Sequence, residues 1–143
     1  MLKVLELVKP AVLFLSLAVA AFIDWKKKKV YLPMIIATGC AGVIIHIFMQ
    51  DMTIMDILVG VLPGIILLFL GYVTKESIGY GDGCIFIMTG VYLGGLGNLM
   101  LLVISSVLAG IYAIVILLMR KGSRNDSFAY VPFVLFAYVV LII

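Results

Sequence analysis

The stretch KESIGYGDGCIF, residues 75–86, sets Gly79, Gly81 and Asp82 directly against a hydrophobic run. Backbone freedom and a carboxylate are both costly near lipid, so their presence at this point calls for a reason. Outward from it in both directions the chain is apolar: 66% of its 143 residues are hydrophobic and only 12% are charged. A soluble globular domain does not carry that composition, and the membrane is therefore the expected solvent. The expected fold class is an all-α polytopic membrane protein, one domain over residues 1–143.

Apolar stretches fall at 10–23, 30–49, 54–73, 84–96, 99–119 and 128–143. A helix rises about 1.5 Å per residue and the hydrocarbon layer is about 30 Å thick, so the second, third and fifth span comfortably. The first reaches a spanning length by borrowing residues 2–9. This reading gives about six transmembrane helices in a compact bundle. Glycines four apart in GVLPG (60–64) and GVYLG (90–94) mark close helix contacts, within the chain or between chains. The first run carries Lys3, Glu6 and Lys9 and lacks a small-residue cleavage site, so it is expected to remain in place rather than act as a removable signal peptide.

The basic residues set an orientation. Placing loops 24–29, 74–82 and 120–127 on one side gathers Lys26 to Lys29, Lys75, Arg120, Lys121 and Arg124 there, against Lys3 and Lys9 opposite. That side is expected to face the cytoplasm, with both termini outside. These clusters end apolar runs and read as topology signals rather than a nucleic-acid surface; the partner they imply is membrane lipid. Thr53 and Asp56 have capping-box spacing before the third helix, and Asn98 is expected to cap the fifth. Cys40, Cys84 and His46 show no metal-type spacing, so no metal or cofactor is expected; His46 is read as hydrogen-bonded to a neighbouring helix or tucked near the interface.

Most of the seven acidic residues have a structural explanation: Asp51 and Asp56 at an outer helix start, Asp126 in a basic loop, Glu6 near the N-terminus. Asp24 and Asp82 differ. Both end or begin apolar runs on the same expected side, 58 positions apart. Asp82 suits a helix start, where a carboxylate meets the favourable end of the dipole, whereas Asp24 ends a helix and faces the unfavourable end. The dipoles thus favour charge on Asp82 over Asp24. Two acids sharing a proton fit one chemistry: one carboxylate acts as base on a water while the other, protonated, polarises a peptide carbonyl. Gly79 and Gly81 are then expected to allow a tight turn and the approach of an extended substrate.

Three separated stretches resemble the type IV prepilin peptidase family, membrane aspartic peptidases carrying a GxGD signature. FIDWKKKKVY (22–31) resembles the block in which an aspartate ends a helix before a basic loop. KESIGYGDG (75–83) resembles the GxGD block, and VPFVLF (131–136) is similar to the proline-phenylalanine stretch of the last helix. The resemblance implies that Asp24 and Asp82 are the catalytic pair in a prokaryotic cytoplasmic membrane, with the active site at the cytoplasmic face. It also implies a pilin-like precursor as substrate, cut after a basic leader. Glu76 and Tyr80 are candidate substrate contacts. Two positions depart from the pattern: Val30 and Tyr31 stand where Ile-Pro is usual, and Cys84 stands where a lysine is common. The first acid already at position 24 and the lack of CxxC match the short forms without the N-terminal methyltransferase domain. A presenilin-like protease and a small proton or cation transporter subunit are the alternative readings. The first would have a tyrosine before the first acid, where Ile23 stands, and the second would place its acids near the bilayer midplane. Oligomeric state is not legible.

Overall fold

The computed structural model describes residues 1–75, 79–119 and 128–143. Among them the chain forms five α-helices and no strand: α1 (Leu2–Lys27), α2 (Leu32–Met49), α3 (Ile54–Val73), α4 (Tyr80–Leu118) and α5 (Val131–Ile142). The all-α class holds. Of the roughly six spans expected, four helices among the described residues, α1 to α4, are long and apolar enough to cross a membrane, and α5 is shorter. The first helix does take in residues 2–9, running from Leu2 with Pro10 inside it.

One helix of the difference in count comes from α4 and the other from the short α5. The fourth and fifth expected helices are its two arms, joined where Gly94 adopts φ 71°, ψ −173° inside an otherwise helical run. A left-handed φ with extended ψ suits glycine and few other residues. The bend is sharp. Asn98 Nδ2 donates to the Phe86 carbonyl at 2.8 Å although the two residues are 12 apart in sequence, a separation of about 18 Å along a straight helix. The arms 80–93 and 95–118 therefore fold back on one another.

What locks the bend is a small buried polar cluster. Asn98, expected as a helix cap, is instead fully buried and donates to the carbonyls of Gly60 at 2.7 Å and Phe86, while Thr89 Oγ1 donates to its Oδ1 at 2.6 Å. A side-chain amide with both ends bonded leaves none of its own polar atoms unpaired inside the bundle. The capping box at Thr53 and Asp56 forms as its spacing predicts.

The glycines spaced four apart make their contacts within the chain. A Cβ at Gly60 would fall against the Gly90 carbonyl oxygen, and one at Gly64 against the Ile87 amide nitrogen. Lipid tails give two helices little hydrophobic reason to associate, so close backbone approach and dispersion hold α3 against the first arm of α4. The other helices close around this pair. Leu13, Leu17 and Ala20 of α1 and Val131, Val134 and Ala137 of α5 are buried with Ile85, Phe86 and Met88 of α4. Tyr92 is seated on Gly42 of α2 and donates to the Thr38 carbonyl at 2.7 Å.

Candidate active site

Helical spacing carries both candidate acids to the inner face of the bundle. On α1, Leu13, Leu17, Ala20 and Asp24 follow one another at intervals of four, three and four, a single stripe. Asp24 is the last inward position of that stripe and is 7% exposed. On α4, Asp82 precedes the buried residues Ile85, Phe86 and Thr89 at spacings of three, four and seven. Both stripes end at one open cleft of about 880 Å³, which Asp24 and Asp82 line together. The pair is near enough for the two charges to repel.

A third element completes the surroundings of Asp24. The Val131 N–H, at the first position of α5, donates to Asp24 Oδ2 at 2.9 Å. Pro132 follows it and has no N–H, so Val131 supplies one of the few donors that this helix start offers. The favourable end of the α5 dipole thus faces Asp24 and offsets the unfavourable end of α1's own dipole. The contrast between Asp24 and Asp82 expected from their own helices is correspondingly smaller. A last apolar segment over 128–143 was legible in sequence, but the apposition of Val131 to residue 24, 107 positions away, was not.

The remaining predicted positions divide. Gly79, Tyr80 and Gly81 line the cleft with the two acids. A tight turn is not the reason for the glycines, because Gly79 sits at φ −65°, ψ 130°, open to any residue. Gly81 lies within the first turn of α4, where a Cβ would fall 2.6 Å from Val30 Cγ2. Close packing of α4 on the residue that opens the 30–31 departure is the structural reason. Cys84 and Val30, the two departures that reach the site, both line the cleft. Glu76 lies outside the described residues, as do Arg120, Lys121, Arg124 and Asp126. Lys28 and Lys29 line the cleft, so part of the basic loop after α1 shares an end of the bundle with the acids.

Asp51 has a different environment. Its carboxylate accepts from Lys9 Nζ and lies against His46 Nδ1, both at 2.7 Å, while His46 Nε2 meets the Val91 carbonyl at 2.6 Å. A carbonyl only accepts, so Nε2 is the donor there. Asp51 thus ties α1, α2 and α4 together rather than capping a helix start, and His46 makes the interhelical bond expected of it. Burial works against charge on Asp51, but Lys9 and His46 outweigh it and hold the carboxyl below its usual range.

A model of the type IV leader peptidase family matches residues 11–114, which takes in both candidate acids, the glycine seam and the bend of α4. The chain belongs to that family. It is accordingly a peptidase and, with four helices fit to cross a bilayer, an integral membrane protein. No curated protein and no solved structure matches it. In this leader peptidase the family match ends before Val131, so the α5 amide that holds Asp24 is contributed from outside the matched residues. Among the described residues, no group of three or more His, Cys, Asp or Glu side chains is arranged to hold a metal ion.

Proposed function

We propose that this leader peptidase is an aspartic endopeptidase which removes the leader of type IV pilin-like precursors, using Asp24, Asp82 and a water. The observation that carries the reading is that two acids 58 positions apart line one cleft at the ends of inward-facing stripes. One carboxylate takes a proton from water as its oxygen attacks the peptide carbonyl carbon. The other, protonated, hydrogen-bonds to the carbonyl oxygen and steadies the developing charge. Collapse of the tetrahedral intermediate breaks the C–N bond, and the proton passes to the leaving amine.

Lys28 and Lys29 at the same cleft support an opening on the cytoplasmic side, since lysines and arginines accumulate there. Both acids stand near helix ends, which supports cutting at the membrane boundary rather than within the bilayer; termini outside follow from the same orientation. A transporter with acids at the midplane fits this placement poorly.

The test is to incubate the purified protein in lipid with a pilin-like precursor and to sequence the product's new N-terminus. Cleavage between a basic leader and the apolar segment agrees with the reading. A cut inside the apolar segment contradicts the boundary assignment.

A further inference from the structure

The first turn of α5 approaches Asp24 only because something holds it there. Tyr130, immediately before Val131, is fixed at two points on the two arms of α4. Its ring lies 6.3 Å from that of Phe86, a fully buried residue of the first arm, at a tilt of 43°. Its hydroxyl lies 2.8 Å from Ser105 Oγ and 3.3 Å from Ser106 Oγ, both on the second arm. Ser105 Oγ spends its own proton on the Leu102 carbonyl at 3.1 Å, so the Tyr130 O–H is the donor in the shorter bond. The Tyr130 carbonyl in turn accepts from the Phe133 and Val134 amides and closes the first turn of α5.

We infer that Tyr130 is a positioning residue for the acid pair: its bond to Ser105 sets the start of α5 so that the Val131 N–H stays on Asp24. This rests on the peptidase reading above. A hydrogen bond to a carboxylate weakens steeply when its angle or distance is lost, and the free end of a helix frays unless tied. Tyr130 spans the bend of α4 and so couples Asp24, through one backbone step, to the element that carries Asp82. Neither Tyr130 nor Ser105 forms part of the stretches that mark the chemistry in sequence.

Tyr130→Phe keeps the ring on Phe86 and removes the hydroxyl. Cleavage of a pilin-like precursor by this variant, by Ser105→Ala and by the double variant gives kcat and KM separately, beside wild type and Asp24→Asn. The expected result is a fall in kcat of about tenfold in Tyr130→Phe, with KM unchanged, and a double variant no slower than the slower single one. Unchanged kcat, a change confined to KM, or independent losses that multiply in the double variant each overturn the inference. Ser105→Ala serves alone if the tyrosine variant does not fold. Wild-type cutting by Asp24→Asn would instead overturn the peptidase mechanism, which separates the two failures.

Discussion

The two ends of the bundle each present a carboxylate to other helices, and they use it in opposite ways. At one end the exposed Asp51 is bonded by Lys9 and His46, with its oxygens occupied at 2.7 Å. At the other, Asp24 is held by an uncharged backbone amide and shares an open cleft with a second acid. Lys9 and His46 close the first carboxylate and make it a clasp. A neutral donor orients the second, and another acid lines the same cleft. Residue type does not separate structure from chemistry here; the partners do.

The strongest way to break this contrast is to neutralise one acid at each end. Asp82→Asn is expected to lower the cleavage rate on the order of 10²–10⁴-fold with little change in thermal stability. Asp51→Asn is expected to keep the wild-type rate and lose stability. The reverse pattern would exchange the roles of the two ends. Rates on a pilin-like precursor and unfolding scans in detergent decide it.

A smaller effect is expected midway between the ends. At Gly90 an added Cβ would lie against the Gly60 carbonyl. Backbone cannot yield as a flexible side chain can, so Gly90→Val is expected to cost about 1–3 kcal/mol of stability, read from the unfolding transition. Equal stability would mean that the α3–α4 seam is looser than its geometry. Gly39, with open space at its Cβ, is the control and should accept alanine.

Why some of this was legible before the structure, and some was not, follows from the range of each interaction. The capping box of Thr53 and Asp56 and the glycine spacing are local patterns, visible at intervals of three and four. Asn98 misled because a side-chain amide near a helix start is ordinarily a cap; only the fold-back at Gly94 brings it to Phe86 and Gly60. The α4 bend also bears on the span count, since residues 80–118 are two helical arms broken at Gly94, which correspond to the fourth and fifth expected segments. Val131 and Tyr130 reach Asp24 and Ser105 through long-range packing that no window of sequence contains. The Gly81 contact with Val30 is of the same kind.

The smallest expected effect is at the clasp and depends on pH. Because Asp51 is held below its unfolded range by Lys9 and His46, its contribution is present above the ordinary carboxylate pKa of about 3.9 and is lost as pH falls through the lower folded value. Its side chain is 30% exposed, so the Lys9 pair adds about 0.2–1 kcal/mol at most. Lys9→Ala should therefore lower the melting temperature slightly at neutral pH and leave it unchanged in strong acid. A larger deficit in acid than at neutrality would contradict the assignment.

The most direct measurement of the central claim is the rate of precursor cleavage by Asp24→Asn, Asp82→Asn and the double variant, each shown to be folded. If the two carboxylates act as one unit, each single change removes cutting and the double variant falls no further. Wild-type cleavage by either single variant would show that the acids do not work as a pair.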